Sequence, residues 1–361
     1  EELCRYGECR FFTICALFVF LGVSMLTAQG PMFSVIVPVY NMAEYVESCL
    51  DSILSAACLN VELIVIDDGS TDESLSICRR KLAGLSDVKI FAQANAGQGA
   101  ARNKGLSVAT GKYVLFVDSD DTIDGKLFDL ALPMMEQGNY DFINFGLEFV
   151  GQDGVVSHTF MPNKLKELYG REIFEHAMMD EQIYSSPVNK IYSRAFLELH
   201  NIRFPEVKAC EDIYFSRVLA YNANATAFVH EVLYHALIRS GSTTRNVGES
   251  FLHAALDVLA KEKQYLQNHG AFPEYRDLYL RHYAKQVAYI IYVLSYRAKN
   301  LQVLNKSVRL ARDQEDFRIL VSSGNWGGVG KKYKLFLIAS RFPVLLRGAA
   351  FFLSFFNMKP Y

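Results

Sequence analysis

The chain has 361 residues, of which 51% are hydrophobic, and a formal charge of −2. That much apolar material excludes a disordered chain, and near-balanced charge with no basic–aromatic stripe in the first half leaves no footprint for a nucleic acid partner. The seven cysteines fall at irregular intervals without paired metal-ligand spacing, which argues against structural zinc and fits reduced thiols in a cytosolic compartment.

Residues 1–31 form an apolar leader. Its run from Phe11 to Ala28 is uncharged and ~18 residues long, the short limit for a membrane span. It reads as a signal or anchor segment, or as upstream sequence, and the folded protein is expected to begin near Met32. Phe33 to Val39 then reads as a buried strand, and Val46, Leu50, Ile53, Leu54 and Ala57 recur at helical spacing. Val61 to Ile66 is a second strand ending at Asp67-Asp68-Gly69-Ser70, where Ser70 and Glu73 have the spacing of a capping box for a helix reaching about Leu82. Val88 to Phe91 is a third strand. Gly97 to Gly99 opens a helix that runs to about Ala109 and stops at Gly111, and Tyr113 to Val117 is a fourth strand ending on Asp118-Ser119-Asp120-Asp121.

This alternation specifies an α/β fold: a mostly parallel, doubly wound sheet with helices on both faces, whose functional residues lie at the carboxyl ends of the strands. Every acidic cluster above sits at such an end. After Asp141 the pattern loosens, with a strand over Phe142 to Phe149 and helices over Arg171 to Met179 and Glu211 to Ala220; from Phe251 an all-helical segment is expected to about Val321. From position 331 onward the charges are all basic and interleaved with large apolar residues, a pattern that suits either a helix in an anionic membrane interface or one packed on the protein's own body. The expected units are 32–135 for the first α/β half, 136–248 for a second half, 249–330 for the helical region and 331–361 for the tail.

Asp118 and Asp120, two apart at a strand end, can hold a hard cation such as Mn²⁺ or Mg²⁺ that bridges phosphate oxygens, although the same residues also suit a solvated turn. An Asp at 67–68 can accept from a base or ribose hydroxyl, and Arg102 on the following helix can reach a nucleotide or diphosphate. Glu211-Asp212, at a helix start, suits a general base as well as it suits the helix dipole. The loop from Arg239 to Arg245, with Ser242, can close over a diphosphate.

Taken together, Val35-Ile36-Val37-Pro38-Val39-Tyr40-Asn41, Val65 to Asp72, Gly99 to Gly105 and Val117 to Asp121 closely resemble the family 2 inverting glycosyltransferases with the GT-A-type fold. Lys190-Ile191-Tyr192 and Arg203-Phe204-Pro205 extend the likeness. The resemblance implies that Pro38, Tyr40, Asn41, Asp67, Asp68, Arg102 and Asp118 bind the donor nucleotide, with Asp68 on the uracil, and that Asp118 and Asp120 hold the metal. It implies Asp212 as the base with Glu211 beside it, and a minor diphosphate or acceptor role for Lys190, Arg239 and Ser242. The expected reaction is inverting transfer of one sugar from a UDP-sugar to a glycan or lipid-linked glycan at the inner face of the cell membrane. The Gln-x-x-Arg-Trp motif of processive synthases is missing. A sugar-phosphate nucleotidyltransferase is the alternative, but Val37-Pro38-Val39-Tyr40-Asn41 lacks the glycine-rich basic loop of such enzymes; a non-catalytic homologue would be expected to have lost acids.

Overall fold

In the computed structural model, the described residues are 30–56, 60–162, 165–207, 209–239, 249–297, 301–323 and Lys334. The leader, Ser242 and all of the tail but Lys334 lie outside them. Four strands, Phe33–Val39 (β1), Val61–Asp67 (β2), Val88–Ala92 (β3) and Tyr113–Phe116 (β4), form a parallel set in the order β3-β2-β1-β4. β1 is buried over all seven residues, as a central parallel strand covered on both faces must be, and this is why its sequence is an apolar run rather than an alternation.

The crossovers are Val46–Ala56 (α1), Ser74–Lys81 (α2) and Gln98–Val108 (α3). α1 buries Val46, Cys49, Leu50, Ile53 and Ala56 along one face. α3 packs through small residues instead: a Cβ on Gly105 would lie 2.3 Å from Ile36 Cγ2 of β1.

Two local readings change. Ser70 caps no helix: its hydroxyl accepts the Asn41 amide, while α2 begins four residues later, where Asp72 Oδ1 accepts the Ser74 amide at 3.0 Å. Gly111 is not the stop of α3, which ends at Val108 with an extended Ala109. Gly111 is needed because a Cβ there would stand 2.6 Å from the Ser34 amide nitrogen.

The sheet's second half is mixed rather than parallel throughout. It comprises Thr122–Ile123 (β5), Leu127–Gln137 (α4), Phe142–Gly151 (β6), Val156–Phe160 (β7), Glu167–Tyr169 (β8), Arg171–Met179 (α5), Lys190–Ser193 (β9), Arg194–Leu199 (α6), Glu211–Asn222 (α7) and Ala225–Ile238 (β10). β9 inserts antiparallel between β4 and β6, and β10 runs parallel to β6 with β5 on its far edge. Because two antiparallel steps restore the direction, β6 and β10 end on the same edge as β1, β2 and β4.

Helices Glu249–Asn268 (α8), Phe272–Arg297 (α9), Leu301–Asp313 (α10) and Glu315–Ser323 (α11) bear out the expected helical region. α9 docks on α5, where the buried His282 ring bonds the Met178 carbonyl at 2.8 Å. Among the described residues no helix is long and apolar enough to cross a membrane. Cys49, Cys78 and Cys210 are free and buried; the other four cysteines lie outside the described residues.

Candidate active site

The carboxyl ends of β1 and β2 meet at one rim. Pro38 is buried in β1, and beyond it Tyr40 is 44% exposed. Asn41 adopts φ +52° and its Oδ1 accepts the Thr71 amide at 2.8 Å, tying the β1 loop to the β2 loop. Asp67 and Asp68 are both buried but differ in how they are bonded. Asp68 Oδ1 accepts from Gln93 Nε2 (2.8 Å) and the Ala96 amide (2.9 Å), and Oδ2 accepts the Gly97 amide (2.8 Å). A carboxylate has about four acceptor sites, so Asp68 keeps roughly one. Asp67 Oδ2 accepts the Ser70 amide, whereas its buried Oδ1 has no hydrogen-bond partner among the described residues. Asp68 thus ties the 93–97 loop to the end of β2 with one acceptor site left, and Asp67 Oδ1 is a second unfilled acceptor.

Arg102, expected to reach a nucleotide or diphosphate, is engaged within the protein in this structure. It is 2% exposed, packed over the Phe204 ring at 5.2 Å, and joins Asp118 Oδ1 (2.7 Å) to Glu211 Oε1 (3.3 Å). Gln98 Nε2 adds a second bond to Asp118 Oδ1 at 2.8 Å. The guanidinium thus fastens the end of β4 to the start of α7 by charge-assisted bonds. Gly99 permits this approach, since a Cβ there would be 3.1 Å from Glu211 Cγ. At the adjacent Asp212, burial and the neighbouring Glu211 charge raise the carboxyl to about 7, with Arg102 only partly offsetting them.

Asp120 turns the other way. Its Oδ2 accepts Arg239 Nε at 2.6 Å, and Arg239 stacks on the Tyr45 ring. Burial and the nearby Asp118 charge raise the Asp120 carboxyl, against the pull of Arg239. Asp121 is buried and raised well above the usual range by burial and by both acids. Tyr234 of β10 locks the turn: its hydroxyl accepts the Asp118 amide (3.0 Å) and donates to Asp121 Oδ2 (2.7 Å), while Asp121 Oδ1 accepts the Leu237 amide. Beside Asp120 opens a cavity of about 390 Å³ lined by Glu44, Tyr45, Thr122, Glu148 and His235.

With this geometry established, similarity to known proteins decides the family. Residues 34–199 match the family profile described as Glycosyl transferase family 2. That stretch carries the family's domain. It is similar to the putative glycosyltransferase EpsH of Bacillus subtilis (strain 168), at 29% identity over 256 residues covering 69% of this chain and 73% of EpsH. It is also similar to glycosyltransferase GlyA of Streptococcus pneumoniae serotype 4, at 31% identity over 66% of this chain but only 35% of GlyA. Its structure is similar to S. aureus TarS residues 1–349 crystallised with UDP-GlcNAc, with a TM-score of 0.54 and 25% identity over 82% of this chain and 92% of that one. The α/β fold with a helical C-terminal region and the assignment as a glycosyltransferase are thus both established.

Within this glycosyltransferase, Arg102 links Asp118 to Glu211, next to Asp212 in the chain, while Asp120 pairs with Arg239 and lines the cavity. Lys190 does not join them. It is 1% exposed and its ammonium donates to Tyr184 O (2.6 Å), Ser186 O (2.8 Å) and Asn189 Oδ1 (2.8 Å), so its three N–H bonds are filled inside the protein. Sequence reasoning missed Tyr234 and Gln93: one is an ordinary strand tyrosine and the other an ordinary loop glutamine, and only the fold brings them to the motifs. Asp121 carried a signal, as a third acid after the strand.

Proposed function

We propose that the protein transfers a single sugar from a UDP-sugar to a hydroxyl of a glycan or lipid-linked glycan acceptor, with inversion at the anomeric carbon. The observation that carries this reading is the Arg102 bridge, which joins Asp118 after β4 to Glu211 at the start of α7, beside Asp212. TarS, crystallised with UDP-GlcNAc, supports a uridine diphosphate donor. The base lies across Tyr40 and Pro38, with Asp67 Oδ1 and the remaining acceptor site of Asp68 reading its imide and the ribose. Asn41 braces the rim through Thr71. Arg239 faces the diphosphate, and the sugar occupies the space beside Asp120.

A divalent cation at Asp118 and Asp120 belongs to this reading. Asp118 and Asp120 would supply hard oxygen ligands, and the Asp118 charge that helps raise the Asp120 carboxyl is what a cation would relieve. Among the described residues no group of three or more potential ligands gathers, so these two acids alone would hold the ion from the protein's side. When bound, the ion neutralises charge developing on the leaving diphosphate.

The chain's own groups account for the proton. Asp212 takes it from the acceptor hydroxyl as that oxygen attacks the anomeric carbon; the sugar–phosphate bond breaks on the opposite face and UDP departs with the electron pair. Glu211, held by Arg102, stands beside Asp212, where burial and its charge raise the Asp212 carboxyl to about 7. Loss of the Gln-x-x-Arg-Trp motif favours one transfer per encounter.

The test is Asp212→Asn, with UDP binding followed by calorimetry and UDP-GlcNAc hydrolysis by UDP release. Binding should stay within about 3-fold while turnover falls by ~10²-fold or more, the usual contribution of a general base. Wild-type turnover in this variant overturns the reading.

A further inference from the structure

One of the links between the helical region and the catalytic half runs through a half-buried carboxylate. Asp180 terminates α5 at φ +49°. Its Oδ1 accepts Arg217 Nη2 at 2.9 Å and the Ser185 hydroxyl; its Oδ2 lies 3.5 Å from Lys285 Nζ and 3.5 Å from Gln286 Nε2, both on α9. Lys285 also donates to the Met179 carbonyl. Burial opposes ionisation of Asp180, yet Arg217, Lys285 and Ser185 outweigh it and hold the carboxyl down to about 2.

Arg217 is 2% exposed and stands on α7, five residues beyond Asp212, or roughly 7.5 Å along the same helix. Its Nε and Nη1 have no hydrogen-bond partner among the described residues. What fixes Arg217 is Nη2, bonded to Asp180 and, at 3.0 Å, to Ser185. The same carboxylate therefore sets the lateral position of α7 and, through Ser185, the segment running to Lys190.

We propose that Lys285 is a positioning residue for glycosyl transfer: by holding Asp180 from α9, it fixes Arg217 and so places Asp212 against the donor. This rests on Asp212 being the base. Without the Lys285 cation, Asp180 keeps only the neutral Gln286 amide from α9, and the charged link from α9 through Asp180 to Arg217 is lost, while α7 stays tied to α8 through Asn222 and Tyr265.

The experiment uses the full chain and reads UDP-GlcNAc hydrolysis per UDP-binding site, the sites being counted by UDP calorimetry. A fold that is merely weakened lowers the number of sites, not the rate at each. Lys285→Met is expected to lose ~10-fold or more in rate per site, since misplacement by about 1 Å costs up to ~10²-fold. The KM for UDP-GlcNAc should remain within about 2-fold, because uniform binding is untouched. Lys285→Arg, which keeps the charge, should remain within about 3-fold of wild type. A wild-type rate per site in Lys285→Met, or an Arg variant as slow as the Met variant, overturns the proposal. Should Lys285→Met yield no UDP-binding sites, Lys285→Gln is judged by the same rate criterion. Asp212→Asn, run alongside, separates the failures: full activity there removes the base reading and this inference with it, whereas a slow Asp212→Asn beside a normal Lys285→Met removes this inference alone.

Discussion

Asp212 gains its chemistry from two neighbours of opposite sign. Glu211 and burial push its carboxyl up to about 7, and Arg102 stops it rising further. A general base is useful only when ionised, and one whose pKa lies near the working pH combines availability with proton affinity. The sign follows directly: a raised carboxyl is protonated below its pKa. The rate of UDP-sugar hydrolysis should therefore climb tenfold per pH unit up to about 7 and level off above, measured from pH 5 to 9 at saturating donor. An acid limb near 4, where an ordinary carboxylate titrates, would assign the limb to a different group.

At the level of elements, glycines decide how closely α3 and the turn before β4 approach β1. A Cβ on Gly111 meets backbone atoms of Phe33 and Ser34 at 2.6–2.7 Å, and backbone there cannot yield without shifting a central strand. The Gly111 amide also donates to Ser34 Oγ (2.9 Å) and Glu62 Oε1 (3.0 Å). Gly111→Ala should thus cost about 1–3 kcal/mol or more by urea denaturation, with an unchanged m-value. Gly105→Ala, which meets an Ile36 methyl, should fall in the lower part of that range because a side chain can turn aside. The first four strands were legible in the sequence because a buried parallel strand leaves an uninterrupted apolar run bounded by turn residues. β9 was not: Lys190-Ile191-Tyr192-Ser193 is too short and too polar at its start, and its antiparallel insertion depends on long-range pairing that no local pattern encodes. For the same reason the acids of the site could be named from their motifs, whereas the bonds that occupy most of Asp68 and draw Arg102 inward could not.

Across the whole molecule, two buried carboxylates carry much of the expected acid sensitivity. Burial opposes ionisation of Glu62, but Lys89, Ser34 and the Thr110 and Gly111 amides together hold it at about 2, as Arg217, Lys285 and Ser185 hold Asp180. Groups depressed in the folded state contribute stability in full above the ordinary carboxylate range and lose it as pH falls towards about 2. Each is worth on the order of 2–3 kcal/mol at neutral pH. Urea midpoints should hold from pH 7 to 5 and drop between pH 4 and 2.5, with Glu62→Gln flattening that drop.

The hydroxyl of Tyr234, which spans Asp118 and Asp121, also has a consequence for how the protein comes into being. The acids of the β4 turn are made early by the ribosome, yet the strand that closes the turn is translated more than a hundred residues later. A nascent chain can pair β1 to β4 as soon as they emerge, but its donor pocket stays open until β10 has left the exit tunnel and entered the sheet. Competence to bind nucleotide is therefore a late event in synthesis, and a chain released before position 234 would possess the motif without the site.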